Sequence, residues 1–183
     1  MTFEPTPLPG VVVVRPQPFA DERGYFARTW DGELFAAQGL NPAVAQCSAS
    51  FNVEAGTLRG MHYQAAPHGE CKLVRCTRGR VFDVALDLRP DSATFRQWFG
   101  VELSAENGAA LYIPEGCAHG FLTLEEASEV FYMISAAFVP DAARGVRWDD
   151  PAFGIQWPGP VRVVKDRDAA YPDFPSGNLR LDS

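Results

Sequence analysis

Apolar and polar residues alternate in short runs along most of the chain, and proline or glycine closes nearly every run. The clearest run is 80–88. Phe82, Val84, Leu86 and Leu88 fall on one face, with Val81, Asp83, Ala85 and Asp87 on the other, which is the period of two of a strand. The same texture predicts strands at 11–15, 24–30, 57–64, 71–78, 97–103, 109–113, 118–123 and 128–136. Gly79 reads as a hairpin turn between the runs on either side of it, and Asn107-Gly108 as a tight turn. One stretch reads as a helix: Asp31 offers an N-cap, Leu34 and Phe35 an apolar stripe, and Gly39 a stop. A proline-rich tail follows about Asp149. With no repeat and no linker, residues 1–183 are expected to form a single all-β domain. It would be a closed barrel or jelly roll with one short N-terminal helix and a short C-terminal tail. Such barrels hold small ligands in their mouths.

Composition narrows the partners. At 46% apolar and 21% charged residues the chain can build an ordinary core, so it needs no disulfide or metal staple. A net charge of -7 argues against a nucleic-acid partner. It leaves room for an anionic small molecule, because a few arginines in one pocket can dominate the local field. No run approaches the roughly 20 apolar residues of a membrane helix, and no secretory signal opens the chain. Cys47, Cys71, Cys76 and Cys117 form no C-x-x-C pair, which suits free thiols in a reducing cytoplasm.

The chemistry begins with three histidines, His62, His68 and His119. His62 sits in the middle of a predicted strand. His119 follows Pro114-Glu115-Gly116-Cys117-Ala118, a P-x-G-x-x-H pattern that resembles the second half-motif of cupins. The first half-motif normally carries two histidines one residue apart; here the segment reads His62-Tyr63-Gln64. A three-histidine metal site would therefore need His68, in the loop sequence Ala65-Ala66-Pro67-His68-Gly69, and metal sites want ligands on a rigid frame. Arg59, three residues before His62, faces the opposite side of a regular strand, unless a bulge at Gly60 brings it round. Lys72, on the next strand, is expected to reach His62 across a hairpin and to stabilise negative charge forming on a carbonyl oxygen.

Seven segments then run in order: Asp21-Glu22-Arg23-Gly24; Leu58-Arg59-Gly60-Met61-His62-Tyr63-Gln64; Lys72-Leu73-Val74-Arg75; Phe82-Asp83-Val84-Ala85-Leu86-Asp87-Leu88-Arg89; Ile113-Pro114-Glu115-Gly116-Cys117-Ala118-His119-Gly120-Phe121; Phe131-Tyr132; and Val146-Arg147-Trp148-Asp149-Asp150-Pro151. Together, over about residues 10 to 170, they resemble the dTDP-4-dehydrorhamnose 3,5-epimerase family. The resemblance implies a cupin-type jelly roll, a homodimer, no metal and no cofactor. The implied substrate is a nucleoside-diphosphate 4-keto-6-deoxy sugar, and the implied chemistry is proton removal and return beside the ketone. It assigns the base to His62, its orienting carboxylate to Asp168, the opposing acid to Tyr132 and the stabilising cation to Lys72. It assigns substrate contacts to Arg23, Phe26, Arg28, Gln46, Arg59, His119 and Arg167.

These roles suit the chemistry. A neutral imidazole is a competent base near neutral pH, and a carboxylate behind it fixes the tautomer. Inversion needs a second donor on the other face, which a phenol can supply. Four places depart from the family's pattern: Arg28 for a glutamate, Gln46-Cys47-Ser48-Ala49-Ser50 for a Gln-Asp-Asn-x-Ser segment, Phe138 for a tyrosine and Ala143 for a glutamate. They bear on the nucleotide base and on which carbon is inverted. A keto-sugar isomerase of the same fold, a metal-dependent cupin and a non-catalytic sugar-binding cupin are the alternatives.

Overall fold

The computed structural model describes residues 1–175; the end of the expected domain, 176–183, lies outside the described residues. The strands are β1 (Thr2–Pro5), β2 (Val12–Arg15), β3 (Phe19–Asp21), β4 (Gly24–Phe26), β5 (Gln46–Asn52), β6 (Thr57–Gln64), β7 (Lys72–Arg78), β8 (Arg80–Asp87), β9 (Trp98–Ser104), β10 (Ala110–Ile113), β11 (Cys117–Thr123), β12 (Ser128–Ile134), β13 (Ala143–Gly145) and β14 (Val163–Val164). Helix α1 (Gly32–Ala37) follows β4, and a single turn, α2 (Asp166–Ala169), lies near the end. One sheet runs β1-β2-β10-β7-β12-β5 and the other β13-β6-β11-β8-β9, with β14 also paired to β6. Two packed sheets with strands that alternate between them form the all-β jelly roll expected from the sequence.

Alternation places the core. On β8, Val81 and Ala85 join the cluster between the sheets, with Val74, Cys76, Leu103, Leu111, Phe121 and Val130. Val84 and Leu86 point to the outer face, where Met61, Val146, Phe153 and Phe174 cover them. The other outer face carries α1, whose Phe35 packs on Leu73, Ala110 and Tyr112. Asp31 caps α1, accepting from the Leu34 backbone N–H at 3.2 Å, as its position before the apolar stripe predicts. Leu34 itself is exposed; Phe35 carries the contact.

Three expectations need correction. Gly79 does not close a hairpin: β7 and β8 belong to different sheets, so the turn is a corner between layers. Its left-handed backbone (φ 72°) suits glycine, and a Cβ there would crowd Ser128. The strand expected at 24–30 stops at Phe26: among the described residues β4 pairs only with β3, in a separate exposed ribbon, and no third strand extends it. Strand β5 has no counterpart in the sequence reading. Its residues Gln46-Cys47-Ser48-Ala49-Ser50 are small or polar and mostly exposed, so no apolar alternation marks it.

Candidate active site

A cleft of about 860 Å³ opens at one end of the barrel interior. Strands from both sheets wall it, and the segment 163–171 borders it. His62 enters from β6. Its Nε2 lies 2.8 Å from Asp168 Oδ1 and 3.4 Å from Arg167 Nη2; because an ionised carboxylate can only accept, the shorter contact favours the tautomer with the proton on Nε2 and the lone pair on Nδ1. The Asp168 carboxylate is buried and also accepts from the Gly60 N–H at 3.4 Å. Burial holds the His62 pKa below the usual imidazole value. Asp168 opposes that shift, while the positive charges of Arg167 and Lys72 reinforce it. The ring is therefore neutral and basic at neutral pH.

The expected bulge is present. Between β6 and β11 the register runs His62↔His119 and then Arg59↔Phe121, one extra residue on β6. That insertion turns Arg59 and His62 into the same cleft despite their odd spacing. Gly60 makes it possible: its φ is +134°, and a Cβ there would lie 2.5 Å from the Gly120 Cα. Arg59 is held by Asn52, whose Oδ1 accepts from the guanidinium Nε at 2.7 Å.

Lys72 reaches the cleft from the opposite sheet, not across a hairpin as the sequence suggests, since β6 and β7 lie in different layers. It is nearly buried, pairs with Glu70 at 2.9 Å and donates to the His62 carbonyl at 3.3 Å. Tyr132, on β12, lines the cleft from Lys72's sheet. Burial, with a smaller push from Asp83, raises its phenol pKa well above the usual range, so it holds its proton. His119 lies opposite His62 on β11; its Nε2 bonds Asp83 Oδ1 at 2.8 Å, and Tyr132 meets its ring edge-on at a centroid distance of 5.9 Å. Gln46 and Arg167 also line the cleft.

Arg23, Phe26 and Arg28 do not. Phe26 is exposed on the β3–β4 ribbon, Arg23 pairs with Asp21 in its turn, and Arg28 pairs with Asp31 at the start of α1. His68 lies in an exposed loop, and among the described residues no three His, Cys, Asp or Glu side chains gather to hold a metal ion. Sequence reasoning also passed over cleft residues. Tyr63, Glu70, Arg144, Lys165 and Tyr171 line it as well. Tyr171 meets the His62 ring at 6.5 Å and packs where a Gly145 side chain would stand. The alternating charges of Lys165-Asp166-Arg167-Asp168 hint at Lys165; nothing local marks Tyr171.

Among the described residues Arg59, Lys72, Arg144, Lys165 and Arg167 face the cleft against two carboxylates, Glu70 and Asp168. This acidic protein thus keeps a cationic pocket, which fits an anionic ligand.

Residues 5–176 match the family described as dTDP-4-dehydrorhamnose 3,5-epimerase. The chain belongs to that family. An enzyme of this name from Methanothermobacter thermautotrophicus is 45% identical over 165 residues, 90% of this chain and 86% of the relative. The solved dTDP-4-dehydrorhamnose 3,5-epimerase of Elizabethkingia anophelis NUHP1 superposes with a TM-score of 0.92 at 36% identity, covering 98% of this chain and 99% of that one. A 3'-monoepimerase from Streptomyces bikiniensis, solved with dTDP-quinovose, superposes at 0.86 with 32% identity, covering 93% and 86%. The epimerase class and cupin-type fold implied by the sequence resemblance stand. Of the positions that depart from the family pattern, Ser48, Phe138 and Ala143 line the cleft, while Arg28 and Cys47 do not.

Proposed function

We propose that the chain inverts C3, C5 or both in a dTDP-linked 4-keto-6-deoxy sugar, with no metal or cofactor, by proton removal and return through an enolate. One observation carries this reading: a carboxylate-backed imidazole on one sheet and a protonated phenol on the other face a single cationic cleft. His62 takes the proton from the carbon beside the ketone, and the C–H electron pair moves into the enolate. Lys72 stabilises the charge on the enolate oxygen. Tyr132 then gives its proton to the same carbon from the opposite face and regains one from solvent, while His62 releases to solvent the proton it took. Arg59, Arg144, Lys165 and Arg167 supply the charge that a diphosphate needs, and arginine matches it through paired hydrogen bonds.

The reading includes residues 1–183 as one domain and a homodimer in the cytoplasm. Strand β5 supports the dimer, because it is a sheet edge without a charged residue, the kind of edge that proteins cover. The exposed Phe19, Tyr25 and Phe26 support it too. Dimerisation gives Arg23, Phe26 and Arg28 a route to the nucleotide in the partner's cleft. The four cysteines are free, in keeping with a reducing compartment. The similarity to a 3'-monoepimerase favours inversion at C3 alone as the second reading.

The test is a panel of 4-keto-6-deoxy sugars on dTDP, CDP and GDP, followed by NMR in deuterated water. Deuterium at the inverted carbon of the dTDP sugar is expected. A shifted ketone would indicate an isomerase, and loss of activity on metal chelation a metal-dependent enzyme.

A further inference from the structure

Asp168 rides on the tail, and α2 is a single turn, too short to hold its own shape. Something else must set the Asp168 carboxylate against His62. Upstream, β14 pairs with the start of β6, and the Arg162 N–H donates to Gly56 O at 2.8 Å. Downstream, Asp173 and Phe174 of the tail meet the Arg147-Trp148-Asp149-Asp150 segment. Asp150 is buried, and its Oδ2 accepts from the Phe174 backbone N–H at 2.6 Å while Oδ1 accepts from Ala152 N–H at 2.8 Å. Arg147 reaches Asp173 at 2.6 Å, and Phe174 packs on Phe153 at 5.0 Å. That same segment is tied to the base: Val146 exchanges backbone hydrogen bonds with Met61, the neighbour of His62. A circuit therefore leaves β6 beside His62, passes through Asp150 to Phe174, and returns through Asp168 to the imidazole.

We propose that Asp150 is a positioning residue for the epimerisation: it latches the tail and so fixes Asp168 on His62. This rests on the reading of His62 and Asp168 as the base pair. Asp150 lies outside the cleft lining and acts only through the tail. The negative charge strengthens a backbone hydrogen bond that a neutral acceptor would hold less firmly, and a reacting group displaced by about 1 Å loses on the order of 10²-fold in rate.

The experiment measures solvent deuterium exchange into the dTDP-4-keto-6-deoxy sugar and dTDP binding for Asp150→Ala, Asp150→Asn, Asp168→Ala and the double variant Asp150→Ala/Asp168→Ala. Asp150→Ala is expected to lower kcat roughly 10- to 100-fold with KM and dTDP affinity held within a few-fold. Asp150→Asn keeps one acceptor and recovers part of the loss. The double variant is expected to be no slower than Asp168→Ala, because Asp150 acts through Asp168. The His62 imidazole proton resonance bonded to Asp168 should broaden or shift in Asp150→Ala. Full activity of Asp150→Ala, or losses that multiply in the double variant, overturns the proposal. Asp173→Asn guards against misfolding: its carboxylate is exposed, and it should show a smaller loss of the same kind, with an unchanged rate counting against the latch. An Asp168→Ala enzyme with a normal rate overturns the base-pair reading, while the imidazole resonance still decides whether Asp150 holds the tail.

Discussion

Two His–Asp pairs stand side by side on the second sheet, both at 2.8 Å, with His62 directly opposite His119. They differ in where the carboxylate comes from and in what the ring can reach. Asp83 stands on β8, beside β11, fixed by the ladder, and that pair is largely buried: the side chains are 5% and 0% exposed, although His119 still lines the cleft. Asp168 arrives from the tail, 106 residues after His62, and the imidazole remains 32% exposed to the cleft. The same bond therefore serves two purposes. The buried pair is a rigid wall that steadies Tyr132 edge-on. In the proposed reading the open pair keeps a lone pair available to substrate.

The largest effect that tests this contrast is on proton exchange. His62→Ala should lower deuterium incorporation by about 10²–10⁴-fold, the worth of a general base, with dTDP affinity within a few-fold. His119→Ala should reduce kcat by a much smaller factor, on the order of tenfold, because His119 takes no proton from the substrate. Equal losses at the two positions would erase the distinction. Tyr132→Phe comes next: exchange should persist while product stereochemistry by NMR reveals failed inversion at one centre or more. Unaffected inversion would assign the acid to another group.

Stability should reverse the ranking. Asp83→Ala leaves a buried ring nitrogen without its partner, which costs about 1–3 kcal/mol. Asp168→Ala should cost less, since the half-exposed His62 can turn to water. Urea midpoints for the two variants check this; the opposite order would mean that the tail pair, not the sheet pair, holds the barrel end together.

The sequence and the structure part company where contacts are long-range. The alternation at 80–88 foretold which β8 residues face each cluster, because period two is local. Gly60 could be flagged as a bulge because glycine admits a backbone that others resist. Gly79 misled because a turn residue says that the chain reverses, not which sheet it enters. Asp168 carried no local signal; only the resemblance singled it out, and its partner is set by a tail that returns over a hundred residues. Tyr171, on the same tail, went unseen for the same reason. Arg23, Phe26 and Arg28 were singled out only by the resemblance, and their distance from this chain's own cleft is a property of the fold alone.

The smallest expected effect is a shift in pH dependence, and it separates the pairs most finely. The base must be neutral to act, so kcat/KM falls as pH drops through the His62 pKa. Burial, Arg167 and Lys72 lower that pKa and Asp168 raises it, with burial the largest influence. The acidic limb should therefore lie below the ordinary histidine value of about 6.5. Asp168→Asn removes the raising influence, so the limb should move to still lower pH even as the rate falls. Arg167→Ala removes a lowering influence, so its limb should move up. Asp83→Asn should slow or destabilise the enzyme without moving the limb, because Asp83 is not among the groups that shift His62. A limb that follows Asp83 instead would mean that the buried histidine, and not the open one, carries the titration that controls turnover.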